Sequence, residues 1–173
     1  GSSLQNPSHT YTTPGTYPVA LQEYNAGGYN STRKTGYITV SSGGWDGTTC
    51  TEITTPGTYP LRGDIQGTPG LSCIVIWSAD VIFEGNGHTL NGTLGSENGV
   101  VASASPVRIS NITVRNLTVS YWNQGIYYDN VTGGTIENSS ILFSSEQGIT
   151  LGTSSSVTLK NTNSSLDRVV ISV

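Results

Sequence analysis

The chain has 173 residues, of which 10% are charged and 34% hydrophobic, with 22 glycines and a formal net charge of −4. This composition is poor in residues that build amphipathic helices and suits many short strands joined by turns, so we predict an all-β fold. The net negative charge argues against nucleic-acid binding, and no apolar run approaches the roughly 20 residues that span a membrane.

The N-terminal 40 residues alternate between strand-like segments and turns. The heptapeptide TTPGTYP lies at 12–18, where Pro14 and Gly15 predict a tight turn between a strand at 8–11 and the next one. The segment resembles the second half of a PKD domain through its motifs HTY, TTPGTY, NAGG and YITV. That resemblance implies a partial immunoglobulin-like β-sandwich over residues 1–40.

A second copy of TTPGTYP lies at 54–60, but its neighbours differ from those of the first. We therefore interpret the heptapeptide as the same turn sequence occurring in two different modules, and not as evidence of a duplicated module. Between them, the Gly/Ser/Thr-rich residues 41–49, which include Trp45, predict a linker.

A different repeat fills the C-terminal part. Three segments begin with a polar residue followed by Gly and an aliphatic residue. A second set of three segments, offset from the first along the chain, carries an Asn shortly after its aliphatic residues. The repeated residues are Gly99, Gly125 and Gly148 in the first set, and Asn116, Asn138 and Asn161 in the second. A period of roughly 20–30 residues made of short strands indicates a parallel β-helix, here of about four coils.

Side-chain alternation assigns the interior of this β-helix. Stacked coils require apolar residues at equivalent inward positions. The predicted inward columns are Val81/Ile112/Gly134/Val157, Phe83/Val114/Ile136/Leu159, Val100/Ile126/Ile149 and Ala102/Tyr128/Leu151. The predicted outward column of alternating charge is Glu84/Arg115/Glu137/Lys160. The Asn column is expected to hydrogen-bond its amides between coils.

Residues 50–173 resemble the CASH repeats of right-handed parallel β-helices, which occur in carbohydrate-binding proteins, sugar hydrolases and NosD-like proteins. The resemblance rests on CTEITTPGTYPL, VIFEGNGHTLNG and the repeated G-I-Y segments. It implies that the opening segment caps the first coil and that a Cys50–Cys73 disulfide staples this cap, with two unpaired thiols as the alternative. We expect Trp77 to pack under the cap.

No catalytic or metal-binding residue is predicted. Asp80 and Glu84 are close in sequence, but alternation places both outside, and Glu84 has Arg115 as its expected neighbour. His88, in GNGHT, is expected at a coil corner, where it hydrogen-bonds backbone. His9 lies in the other module, so the two histidines offer no shared metal site, and no cofactor is expected.

Aromatic residues concentrate in SYWNQGIYYDN, at 120–130. Sugars bind aromatic faces flanked by amides and hydroxyls, so Tyr121, Trp122 and Tyr127 are the predicted carbohydrate-binding residues. Tyr127 should point outward and Tyr128 inward, and Trp122 is expected at an exposed turn. The alternative is that these rings only cover a corner of the coil.

Sequons and paired cysteines favour a secreted glycoprotein at the cell surface. Asn116 and Asn138 also lie in sequons, but we expect them to be poor glycosylation sites because their amides hydrogen-bond within the Asn column. The remaining predicted glycosylation sites are Asn30, Asn91, Asn111, Asn130 and Asn163.

The sequence predicts a non-catalytic extracellular protein for adhesion, carbohydrate contact or assembly of a surface layer, sheath or filament. The uncapped solenoid end and the half-sandwich suggest self-association as one route to such assembly. The alternative function is that of a polysaccharide lyase or hydrolase fragment whose active site lies on further coils.

Overall fold

The computed structural model describes residues 2–4, 7–9, 11, 15–40, 45–93, 95–165 and 169–172, with the backbone alone at 39–40, 165 and 169–172. The chain divides into two compact units, residues 1–44 and 45–173. Every element of regular secondary structure assigned in the described residues is a β-strand, which confirms the all-β class. None of the described segments forms a long apolar helix that could cross a membrane.

The first unit is an antiparallel hairpin of β1 (Gly15–Asn25) and β2 (Gly28–Val40). Its two-residue connection is closed by the Asn25 side chain, whose Oδ1 accepts the Gly27 N–H at 2.8 Å. The register shifts between Tyr17 and Val19, around a proline that has no N–H to donate. The described residues of 8–11 form no strand, contrary to expectation, and the turn predicted at Pro14 lies outside the described residues.

In the second unit, short parallel strands wind into a solenoid of about five coils, a coil being one complete winding. The strands are β3 (Thr51–Ile53), β4 (Gly57–Pro60), β5 (Ile65–Gln66), β6 (Ile74–Ile76), β7 (Val81–Glu84), β8 (Thr89–Asn91), β9 (Asn98–Ser103), β10 (Ile109–Ser110), β11 (Ile112–Arg115), β12 (Thr118–Ser120), β13 (Gln124–Asp129), β14 (Val131–Thr132), β15 (Thr135–Glu137), β16 (Ser140–Leu142), β17 (Gln147–Gly152), β18 (Thr158–Lys160), β19 (Asn163–Ser165) and β20 (Val169–Ser172).

Three parallel sheets form the walls of the solenoid. Sheet 1 has the order β3-β6-β9-β13-β17-β20, sheet 2 the order β4-β7-β11-β15-β18, and sheet 3 the order β5-β8-β12-β16-β19. Each coil passes from sheet 1 to sheet 2 to sheet 3, so residues at equivalent positions of successive coils lie over one another. The predicted parallel β-helix is confirmed.

The opening segment forms a coil of its own instead of only a cap. Strands β3, β4 and β5 pair in parallel with β6, β7 and β8, which explains why the solenoid has about five coils and not four. This coil was missed because it lacks the aliphatic-Asn pattern of the later ones. The predicted Cys50–Cys73 disulfide is confirmed, and it joins the start of the first coil to the start of the second.

The predicted columns are confirmed by the strand registers. Val114 pairs with Phe83 on one side and Ile136 on the other, and Ile136 pairs with Leu159. Phe83, Val114 and Ile136 are fully buried, whereas Leu159, in the last described coil of sheet 2, is 40% exposed. The charged column also stacks as predicted, with Arg115 Nε 2.6 Å from Glu84 Oε2.

The corners of the solenoid depend on left-handed backbone. Eleven described residues other than Gly have positive φ, and nine of these are small and polar: Asp80, Asn86, Asn111, Asn116, Asn130, Asn138, Thr153, Ser156 and Asn161. Asn and Asp tolerate this region best, which accounts for the Asn column. The expected amide bond between coils occurs from Asn161 Nδ2 to Asn138 Oδ1, at 3.2 Å, but Asn116 Nδ2 donates to Glu84 Oε1 instead.

Two tryptophans lie elsewhere than expected. Trp45, assigned by sequence to the linker, packs against Tyr59 and Phe83, with ring centroids 6.4 and 5.9 Å away. Its indole therefore covers core residues of the first two coils. Trp77, expected under a cap, is 46% exposed, because it follows inward-facing Ile76 at the end of β6 and takes an outward position.

Candidate functional site

The three predicted carbohydrate-binding residues have different environments. Tyr121 is 54% exposed and Tyr127 is half-buried on the outer face of sheet 1, while Tyr128 points into the core as predicted. The prediction that Trp122 lies at an exposed turn is wrong, since this residue is only 1% exposed. A buried indole cannot stack on a sugar.

Trp122 is buried because two glycines in earlier coils make room for it. A Cβ at Gly67 would overlap the indole, and one at Gly92 would lie 2.9 Å from its Cδ2. The indole Nε1 donates to the Leu90 carbonyl at 3.0 Å, which satisfies its polar group inside the solenoid. Trp122 is therefore a core residue beneath the corner between sheets 3 and 1.

Directly before it, Tyr121 stacks on Phe143. Their ring centroids are 5.0 Å apart with an interplanar angle of 15°, and Phe143 is 50% exposed. Both residues follow equivalent positions of neighbouring coils, because Ser120 pairs with Leu142. The Tyr121–Phe143 stack thus runs along the solenoid axis and presents aromatic surface to solvent.

Phe143 was missed by sequence reasoning, although a signal existed. It lies 22 residues after Tyr121, the same separation that joins Asn116 to Asn138 in the predicted Asn column. Applying that spacing to the corner would have placed the two rings together.

The backbone under the stack is unusual for aromatic residues. Tyr121 has φ of 62° and Phe143 of 58°, so both occupy the left-handed region. They are the two members of the eleven positive-φ residues that are not Asn, Asp, Ser or Thr. For a bulky side chain this conformation costs roughly 1–2 kcal/mol per residue.

Polar side chains border the stack on both sides. On the sheet 3 side, Ser120 Oγ donates to Asn91 Oδ1 at 3.0 Å. On the sheet 1 side, Ser145 Oγ donates to Asn123 Oδ1 at 2.9 Å. An amide pair follows, in which Gln124 Nε2 donates to Gln147 Oε1 at 2.9 Å. Exposed aromatic rings with amides and hydroxyls beside them form the type of surface that binds sugar rings.

A second polar and aromatic group lies on the outer face of sheet 1. Asp129 Oδ1 accepts the Thr153 hydroxyl at 2.6 Å, and the absent side chain of Gly152 leaves space beside Asp129 and the Tyr127 ring. Partial burial and then the Asp129 carboxylate raise the pKa of the Tyr127 phenol above its ordinary value. Tyr127 therefore stays neutral near physiological pH, as a hydrogen-bonding phenol.

The carboxylates considered for catalysis serve the structure of sheet 2. Partial burial opposes ionisation of Glu84, but hydrogen bonds from the Asn116 amide, the Asn86 N–H and the Arg115 guanidinium outweigh it, so the pKa of Glu84 lies below its ordinary value. Asp80 Oδ1 accepts the Asn111 amide at 2.8 Å. A carboxylate held ionised by three donors is a poor general acid at neutral pH.

The two histidines contact other side chains. The His88 ring does not bond backbone as expected; its Nδ1 lies 3.3 Å from Asp64 Oδ1, while its backbone N–H donates to the Gly85 carbonyl. Asp64 Oδ1 also accepts the Thr89 N–H at 2.9 Å. His9, in the first unit, contacts the Tyr11 ring edge-on. Within the described ranges, no three His, Cys, Asp or Glu side chains converge as a metal site would require.

The predicted glycosylation sites differ in how their amides are used. Asn91 Nδ2 donates to Gln66 Oε1 at 3.0 Å, and Asn111 Nδ2 bonds Asp80. Asn130 Nδ2 donates to the Pro106 carbonyl at 3.5 Å. Asn30 and Asn163 are exposed. Glycan attachment at Asn91 or Asn111 would replace one of the two hydrogens of an amide that already bonds the preceding coil, and glycosylation of all five stays a prediction.

No protein-family profile, no curated protein and no solved structure matches the chain.

Proposed function

We propose that the chain belongs to a non-catalytic extracellular surface protein that contacts polysaccharide through the Tyr121–Phe143 stack. The observation that carries this proposal is the pair of half-exposed parallel rings, held in a backbone conformation that disfavours aromatic residues. Strained backbone of this kind clusters at functional sites, which supports a role for the two rings beyond folding. Tyr127 and the neighbouring amides offer further contacts to the same ligand.

The disulfide supports the extracellular part of the proposal. Disulfides form and persist mainly in oxidising compartments, and the Cys50–Cys73 bond is an integral link between two coils. Adhesion to a cell-wall polysaccharide, or attachment of a surface layer to one, are roles in which binding without turnover is sufficient.

The test is a double substitution that removes the rings without disturbing the corner. Glycine adopts the left-handed region freely, so Tyr121→Gly combined with Phe143→Gly deletes aromatic surface and relieves backbone strain. The matched control is Tyr24→Gly with Tyr29→Gly, because those rings form another exposed pair, with centroids 5.9 Å apart on the hairpin. A panel of soluble glycans and insoluble polysaccharides is then screened with each variant.

We expect the unsubstituted chain and the hairpin control to bind at least one glycan, and the corner variant to lose most of that binding. Equal binding by the corner variant would reject the stack as the site. Release of reducing ends or unsaturated sugars by the unsubstituted chain would favour the lyase or hydrolase alternative.

A further inference from the structure

Among the described residues around the stack are two exposed carboxylates. We define the aromatic corner as residues 92–93, 95–97, 121–124 and 143–147, where three successive coils pass from sheet 3 to sheet 1. It contains two glutamates, Glu97 and Glu146, both exposed, and these residues include no Lys or Arg. Exposed carboxylates are ionised near neutral pH.

Both glutamates are anchored close to the stack by backbone bonds. The Gln124 N–H donates to the Glu97 carbonyl at 3.0 Å, and the Glu146 N–H donates to the Asn123 carbonyl at 2.9 Å. Glu97 therefore lies one coil before Asn123, and Glu146 lies one coil after it. Asn123 is two residues after Tyr121, and Glu146 is three residues after Phe143. The Ser72 hydroxyl donates to Glu97 Oε2 at 3.4 Å.

We propose, on the basis that the aromatic corner binds glycan, that its ligand is an amine-bearing polysaccharide with free ammonium groups. Ammonium groups are attracted both to carboxylates and to the faces of aromatic rings, and the corner offers the two together. A polyanionic glycan would be repelled by Glu97 and Glu146. The charge at the corner therefore distinguishes among glycans that could all stack on Tyr121.

The test compares three oligosaccharides of equal length: hexamers of glucosamine, N-acetylglucosamine and galacturonic acid. Affinities are measured by calorimetry at mildly acidic pH and low salt, conditions that keep the glucosamine amines protonated. We expect the glucosamine hexamer to bind about three- to tenfold more tightly than its acetylated counterpart, the gain that one or two exposed ion pairs give. The galacturonic acid hexamer should bind most weakly.

Glu97→Gln combined with Glu146→Gln separates charge from stacking. This variant should lose most of the preference for the glucosamine hexamer over its acetylated counterpart, and high salt should have the same effect on the unsubstituted chain. Equal affinities before substitution, or tightest binding of the galacturonic acid hexamer, would overturn the ligand class while leaving glycan binding intact. If none of the hexamers and none of the polysaccharides in the wider panel binds, the proposed function itself fails.

Discussion

Gly134→Ala measures how tightly the solenoid interior is packed. Gly134 occupies an inward column, and a Cβ there would lie 2.8 Å from Cε2 of Tyr128, which is fully buried. Carbon atoms prefer separations of about 3.5–4.0 Å, so the ring or the strand would have to shift. Overpacking of this kind costs about 1–3 kcal/mol, and the stiffer unfolded chain offsets about 0.4–1 kcal/mol of it. We expect a net loss of roughly 1–2 kcal/mol.

Urea denaturation followed by circular dichroism measures this loss. Gly63→Ala is the matched control, because a Cβ at Gly63 meets nothing within 4 Å and its φ is not positive. That control should be neutral or slightly stabilising. In a Tyr128→Leu background the Gly134→Ala penalty should largely vanish, giving a coupling free energy of about 1–2 kcal/mol. An unchanged penalty in that background, or equal effects of the two glycine substitutions, would refute close packing at this position.

Three further substitutions test other parts of the second unit. Replacing Cys50 and Cys73 together by Ser should lower the free energy of unfolding by about 3 kcal/mol, the chain-entropy value for a loop of this size; an unchanged urea midpoint would contradict it. Because the pKa of Glu84 is lowered from 4.5, its contribution to stability is present above that pH and is lost as pH falls through the folded value. Glu84→Gln should therefore weaken the acid dependence of stability, and an identical pH profile would argue against this role. Gly67→Ala should destabilise by about 1–3 kcal/mol by displacing Trp122; unaltered tryptophan fluorescence and stability would show that the indole has room.

The walls of the solenoid were predictable because two local rules act together there. Alternation along a strand decides which side chains point inward, and stacking requires the next coil to repeat that choice. Phe83, Val114 and Ile136 could thus be aligned from sequence alone, and the registers confirm the alignment.

Neither rule applies at the corners, where the prediction from sequence was wrong about the direction of Trp122 and missed Phe143. Whether Trp122 points inward depends on Gly67 and Gly92, which are far away in sequence and offer an empty volume only after the coils have stacked. The same holds for Phe143, whose partner is set by the register of two neighbouring coils and not by any local pattern. A sequence motif can mark a corner without showing the direction of its side chains.

The Tyr121–Phe143 stack can be weighed against the possibility that it serves folding alone. Its two left-handed residues cost roughly 2–4 kcal/mol together, relative to residues in ordinary regions. Contact between the two rings stabilises the corner by about 0.5–1.5 kcal/mol in addition to the burial of apolar area. Tyr121 and Phe143 are 54% and 50% exposed, which limits the hydrophobic gain. Asn, used at six of the other left-handed positions, would satisfy the same backbone at lower cost. Stability alone therefore gives little reason for aromatic residues at this corner, whereas a ligand that stacks on them does.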